Sequence, residues 1–179
     1  MAAVVGIVPA AVLRACWDLF SLAPGALGIV LRYAVLKNCA AHCGDNVYVG
    51  RFVVIKNMSR LALGSNVSIH DTCYLDALGE IRIGSNVSIA HQTSIVSFNH
   101  TWEDPTTPIK YNPLIELPIV IEDDVWIGCG VRLLAGAHLG SRTIAAAGCV
   151  VNRPFGPGEM IGGVPAKIIR SIRANALAD

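Results

Sequence analysis

His100 opens the stretch of this chain best equipped for chemistry: Asn99-His-Thr-Trp-Glu-Asp-Pro-Thr-Thr-Pro-Ile-Lys-Tyr-Asn-Pro-Leu-Ile-Glu-Leu117, polar and broken by three prolines. A neutral imidazole is the side chain suited to taking up a proton at about pH 7. It needs a partner that fixes its tautomer. Glu103, Asp104 or a backbone carbonyl could each serve. The other histidines, at 42, 70, 91 and 138, are widely scattered. His91 and His138 fall at turn or surface positions of a repeat, and His42 precedes it; these read as solvated or structural. Six cysteines, at 16, 39, 43, 73, 129 and 149, contain no Cys-x-x-Cys pair, and nothing elsewhere matches Cys39 and Cys43 as a metal half-site. They read as reduced and mostly structural, which points to a cytosolic setting.

The elements around His100 follow a period of six. Cys43-Gly-Asp-Asn-Val47, Val49-Gly-Arg-Phe-Val53, Leu63-Gly-Ser-Asn-Val67, Ile83-Gly-Ser-Asn-Val87, Ile121-Glu-Asp-Asp-Val125 and Ile127-Gly-Cys-Gly-Val131 share one pattern of aliphatic, small and polar residues. Ile69, Leu75, Ile89, Ile95, Leu133 and Leu139 continue it. A helix would place Ala, Glu, Lys and Leu where this chain has Gly, Ser, Asn and Val. Short repeats of this kind signal a solenoid of short strands. The Gly-Ser-Asn and Glu-Asp-Asp steps are corner chemistry. Three faces of six give an 18-residue coil, as from Ile121 to Leu139. Leu63 to Ile83 spans 20 residues, which places a two-residue bulge near Asp76-Ala-Leu-Gly79. The 99–117 segment is expected to be an irregular loop projecting from this scaffold.

The 179 residues fit one domain with a small appendage. The chain is 53% hydrophobic and 15% charged, which excludes a disordered chain. Its net charge of +1 and the lack of a basic stripe give no reason to expect nucleic acid. The first 37 residues are apolar, but charges at Arg14, Asp18 and Arg32 leave no charge-free stretch longer than 13 residues, too short to span a bilayer. No early basic region marks a signal peptide. Two short amphipathic helices are expected, packed on the domain or a neighbouring subunit, with peripheral contact of residues 1–37 with a membrane as the alternative. The organisation is then an N-terminal helical segment over 1–42, a β-helix over 43–155 carrying the 99–117 loop, and a C-terminal extension over 156–179. Ala166 to Leu177 reads as a helix bearing Lys167, Arg170 and Arg173.

Over roughly residues 43–173 the chain resembles the left-handed β-helix, or hexapeptide-repeat, acyltransferases. The resemblance rests on the repeat, on Asn99-His100 opening the loop, and on Val125-Trp-Ile-Gly128, Ala146-Ala-Gly-Cys-Val-Val151 and Gly162-Gly-Val-Pro-Ala-Lys167. It is most similar to the maltose/galactoside and colanic-acid/polysaccharide O-acetyltransferases; Leu22-Ala-Pro-Gly-Ala-Leu-Gly28 with Leu31-Arg32 is similar to a lead-in of the polysaccharide branch. The left hand comes from the resemblance alone, since parallel crossovers are ordinarily right-handed.

The resemblance implies acetyl-CoA-dependent O-acetylation of a sugar, lipid-linked saccharide or surface-polysaccharide precursor, by a cytoplasmic homotrimer with sites between subunits. A peripheral position at the inner face of the membrane is the variant of that setting. His100 matches the family's catalytic base. Trp126, Gly128, Cys129, Ala147 and Gly148 would line the coenzyme; Asn152, Arg153, Lys167 and Arg170 would lie near its phosphates. The acceptor would meet Asp76, His70 and Asn99; where the family usually holds Asn, this chain has His70. Backbone N–H groups near Gly128 and Cys129 would receive the oxyanion. No metal and no covalent acyl-enzyme are implied. Two alternatives use the same scaffold: a zinc enzyme of the γ-carbonic anhydrase type, which needs three clustered histidines, and a non-enzymatic assembly subunit.

Overall fold

The structure, a computed structural model, describes residues 9–172. Three faces of short parallel strands close into a prism. The first face runs through His42–Cys43, Leu61–Leu63, Ile81–Ile83, Ile119–Ile121, His138–Leu139 and Pro154–Phe155. The second runs through Tyr48–Val49, Ser68–Ile69, Ser88–Ile89, Trp126–Ile127, Ile144–Ala145 and Glu159–Gly162. The third runs through Val54–Lys56, Tyr74–Asp76, Ser94–Val96, Arg132–Leu133 and Val150–Val151. The chain visits the faces in that order and returns one coil further along. We call the junctions of the first and second, second and third, and third and first faces the first, second and third corners.

The repeat explains the prism. Its aliphatic positions all point inward: Val49, Leu63, Ile69, Leu75, Ile89, Ile95, Ile127, Leu133 and Leu139 have no exposed surface. Each such burial stabilises by roughly 1.5–3 kcal/mol. At the first corner Asn46, Asn66, Asn86 and Asp124 take left-handed backbone, a conformation these short polar side chains tolerate. They also stack: Asn46 Nδ2 donates to Asn66 Oδ1 at 3.0 Å, and Asn66 Nδ2 to Asn86 Oδ1 at 2.9 Å.

The register bears out the 20-residue step from Leu63 to Ile83 and shows that it is not confined to one coil. Tyr48 pairs with Ser68 and Ser68 with Ser88, a step of 20 residues. Only later does the step shorten, to 18 from Trp126 to Ile144 and to 16 from Ile144 to Met160. The bulge at Asp76–Gly79 has a counterpart one coil earlier, where Met58–Arg60 forms a 3-10 turn. Both enlargements and the 99–117 loop therefore sit on the third corner. Extra residues are tolerated there because a corner lies outside the inward alternation. The loop is also more ordered than expected. Its ends form a hairpin, Phe98–His100 against Leu114–Glu116.

The two chain ends depart further from expectation. Three helices precede the prism: α1 (Ala10–Ala15), α2 (Trp17–Leu22) and α3 (Gly25–Cys39). Rather than being amphipathic, α3 has no distinct apolar and polar sides. It buries Val35, Leu36 and Cys39 and leaves Leu27 and Val30 exposed. Its buried charge, Arg32, is a clamp: Nε donates to Val49 O at 2.8 Å, and Nη1 to Phe20 O at 2.8 Å and Ala23 O at 2.9 Å. One guanidinium thus ties α2, α3 and the first coil together, and Trp17 Nε1 adds a bond to Val53 O at 3.0 Å. No helix among the described residues is long and apolar enough to cross a membrane.

At the other end the coil outlasts residue 155, because Ile161 fills an inward position and Glu159–Gly162 still pairs with the second face. The helix expected over Ala166–Leu177 is, over Lys167–Ser171, an antiparallel strand on Glu159–Gly162. Ile168 and Ile169 favour an extended chain, and the strand covers an edge that would otherwise be open. Arg173 and the rest of that segment lie outside the described residues.

Arg32→Met should destabilise the protein by roughly 3 kcal/mol, because three carbonyls lose one shared charged donor. Urea denaturation would measure it; an unchanged midpoint would show that water replaces the clamp.

Candidate active site

His100 and Asn99 stand exposed on the first strand of the hairpin. They open onto a cavity of about 280 Å³ shared with Trp102, Glu103, Ile115 and Leu117. The imidazole has no hydrogen-bond partner among the described residues. Neither acidic neighbour orients it. Glu103 accepts from Trp102 N at 3.1 Å. The Asp104 carboxylate is taken up by Thr106 Oγ1 at 2.7 Å, Thr107 Oγ1 at 2.8 Å and Thr106 N at 2.9 Å. Those donors, the Thr106 hydroxyl first, hold its carboxyl down to about 2.

Sequence reasoning missed the residues that shape this loop. Asn112 is buried within it. Its Nδ2 donates to Thr107 O at 2.8 Å, while its Oδ1 accepts from Asp104 N at 3.2 Å. Thr101 closes the hairpin through Pro113 O at 2.8 Å. Arg60, two coils away, reaches Glu116 at 2.8 Å. That pair is half exposed and is worth under about 1 kcal/mol, so it steers the hairpin more than it stabilises it. Nothing in the repeat flags these residues, since their partners are set by the loop's path.

The coenzyme candidates divide. Gly128, Cys129, Ala147 and Gly148 occupy the second corner on successive coils. A Cβ at Gly128 would meet Ala147 N at 2.6 Å, so only glycine lets the coils close there. Beside them Gly130 and Gly148 take left-handed backbone with nothing within 4 Å of where a Cβ would stand, which leaves a bare strip of backbone open along this corner. The tail folds over this corner: Val150 N donates to Gly163 O at 3.1 Å and Ala166 N to Val150 O at 2.8 Å. Trp126 stands on the second face, 54% exposed, over a groove of about 350 Å³ shared with Ile144, Arg142 and Ile172. It is not a buried corner aromatic. Lys167 and Arg170 lie on the strand edging that face. Asn152 and Arg153 lie instead by the third corner, with Arg153 stacked over Phe155 at 4.7 Å. The four phosphate candidates thus fall in two groups.

The acceptor candidates divide in the same way. Asp76 shares the third corner with His100, one coil earlier. Its Oδ1 already accepts from Asn57 Nδ2 at 2.7 Å and Leu78 N at 3.2 Å, a turn role. His70 is on the second corner, beside Tyr48 at 5.7 Å between rings. Of the remaining histidines, His138 heads a strand and bonds Glu122 at 2.8 Å. No three His, Cys, Asp or Glu residues converge among the described residues. Cys16, Cys43, Cys73, Cys129 and Cys149 form no disulfide among the described residues, and burial raises the thiols of Cys39, Cys43, Cys149 and above all Cys73, pushed up to about 11.

A carboxyl that stays ionised down to about pH 2 supports its loop above the ordinary carboxylate range and ceases to as pH falls through that value. Carbon NMR should therefore find the Asp104 midpoint at about 2. Replacing Thr106 and Thr107 by Val should return it upward, and a midpoint already in the usual range would disprove the loop geometry.

No family model matches the chain. Individual relatives do. "Putative acetyltransferase YJL218W" of Saccharomyces cerevisiae is 30% identical over 144 residues, covering 77% of this chain and 69% of its own. The galactoside O-acetyltransferase of Escherichia coli is 27% identical over 141 residues, covering 79% and 68%. "Probable acetyltransferase Rv3034c" of Mycobacterium tuberculosis is 29% identical over 128 residues, 72% of this chain but 36% of that longer relative. Among solved structures, the hexapeptide-repeat acetyltransferase VCA0836 of Vibrio cholerae complexed with acetyl coenzyme A superposes with a TM-score of 0.80 at 28% identity, over 92% of this chain and 85% of that one. The three-faced coil, its single hairpin interruption and these relatives agree: the chain belongs to the hexapeptide-repeat acetyltransferase family, and its β-helix is of the left-handed kind.

Proposed function

We propose that this protein transfers an acetyl group from acetyl-CoA to a hydroxyl of a sugar or surface-polysaccharide precursor, with His100 as general base. The observation that carries the reading is an exposed imidazole, free of internal partners, at the mouth of the hairpin cavity. The imidazole takes the acceptor's proton as the oxygen attacks the thioester carbonyl. The carbonyl π electrons move to oxygen, and backbone N–H at Cys129 receives that charge. Collapse of the intermediate expels the coenzyme thiolate, which takes the proton back from the imidazolium. Holding both substrates in one cleft supplies much of the remaining acceleration. Trp102, 70% exposed beside His100, offers a flat apolar surface to the C–H face of a sugar ring.

The division of the site supports a proposed homotrimer. His100 and the Cys129 groove lie on different corners of one prism. A homotrimer, in which the hairpin of one subunit meets the groove of the next, would join them and supply the missing orienting partner for His100. The proposed setting is the cytoplasm, where cysteine thiols stay reduced. The exposed Leu19, Leu22, Leu27 and Val30 of the helices are available for peripheral contact with the inner face of the membrane.

His100→Ala should lower turnover by about 10²–10⁴-fold, measured as coenzyme thiol release, while calorimetry finds coenzyme affinity nearly unaltered. An undiminished rate would remove His100 from the mechanism. Acetyl-CoA should also shield Cys129 from a thiol reagent in the native enzyme; unprotected labelling would displace the coenzyme from the second corner.

A further inference from the structure

The third face lies between the two halves of the proposed site, with the His100 hairpin at one edge and the Cys129 corner at the other. Its outward side chains form a ladder. Tyr74, Ser94 and Arg132 are in direct register on successive coils, about 4.8 Å apart. The rungs are a phenol, a hydroxyl and a guanidinium, and together they span about 10 Å, the scale of a substituted sugar ring.

Arg132 differs from the arginines that form ion pairs. Arg60, Arg82 and Arg142 each sit on a carboxylate. Arg132 has no acidic partner among the described residues. Its Nη1 is instead fixed by three carbonyls: Gln92 O at 2.7 Å, Gly130 O at 2.9 Å and Val131 O at 3.2 Å. Gly130 is the residue next to Cys129, so the cation is anchored beside the proposed thioester groove. Nε and Nη2 make no hydrogen bond among the described residues. The one carboxylate on this face, Asp76, accepts from Asn57 Nδ2, from Leu78 N and, at 3.5 Å, from the Tyr74 hydroxyl, whose oxygen stays available to accept from a sugar hydroxyl. A cation held in place with two donor positions open is pre-organised for an oxyanion.

We propose that Arg132 is a specificity-determining residue, and that with Tyr74 and Ser94 it selects an acceptor saccharide bearing a carboxylate or phosphate. This rests on the acetyltransferase reading above and narrows its substrate class. The anion belongs to the acceptor, because the hydroxyls of Ser94 and Tyr74, which suit a saccharide, continue the ladder from Arg132 along the third face, while the carbonyls that hold Nη1 lie at the adjoining second corner.

The test is thiol release from acetyl-CoA with glucuronate, glucose 1-phosphate and glucose as acceptors, on the whole protein. The wild type should favour one of the two acidic sugars over glucose, and which one identifies the anion as carboxylate or phosphate. Arg132→Ala should raise KM for that sugar by about 10- to 100-fold, erase the preference, and leave KM for acetyl-CoA within about twofold. Arg132→Lys should recover part of the loss, since the charge returns without the planar fork. Equal use of glucose, or a rise confined to KM for acetyl-CoA, overturns the proposal. A protein that binds acetyl-CoA yet ignores every acidic acceptor sinks this inference alone. One that binds no coenzyme by calorimetry sinks the acetyltransferase reading, and the inference with it.

Discussion

Parallel pairing of each coil on the one before is the constraint on which this molecule depends. It fixes the position of every backbone group and leaves no choice about which side chains face inward. Ile69 pairs with Ile89 and Ile89 with Ile127 although 38 residues separate the last two. A loop can leave the ladder and return without cost to the core, because the next coil docks on the same unpaired edge. The scaffold is therefore rigid in its faces and permissive at its corners.

That division assigns chemistry to corners. The first corner is structural, stitched by a ladder of asparagines. The second changes character along its length, from Arg51, His70–Asp71 and His91–Gln92 to the small residues Cys129–Gly130 and Ala147–Gly148. The third corner absorbs every insertion, ending in the hairpin that carries His100. One prism thus offers a polar surface, a bare backbone groove and a projecting base, each at its own edge.

The helices obey a different logic. They cap the open start of the ladder, where His42–Cys43 and Tyr48–Val49 have a partner on one side only. Arg32 does this with hydrogen bonds to carbonyls rather than an ion pair. The clamp therefore needs no second buried charge, whose desolvation would be costly. The apolar residues left outside, Leu19, Leu22, Leu27 and Val30, show that capping uses only one side of this bundle.

Much of the fold was legible in the chain, because a six-residue period ties residue type directly to inward or outward direction. The aliphatic positions, the polar corners, the interruption at His100 and the glycines of the second corner were all readable for that reason. Residue type alone fixed less where side chains choose partners across space. Asp104 is consumed by Thr106 and Thr107 instead of orienting His100, and Asn112 organises a loop that sequence treats as irregular. Lys167–Ser171 forms a strand because an edge needed covering, and Ile168 and Ile169 are only a weak local sign of it. The 20-residue step from Leu63 to Ile83 was legible in the aliphatic spacing; the equal length of the coil before it was not, because its extra turn at Met58–Arg60 sits at a corner outside the inward pattern. Arg132 was hidden for a related reason. Only the stacking of coils adds Gln92 to its sequence neighbours Gly130 and Val131 around one nitrogen.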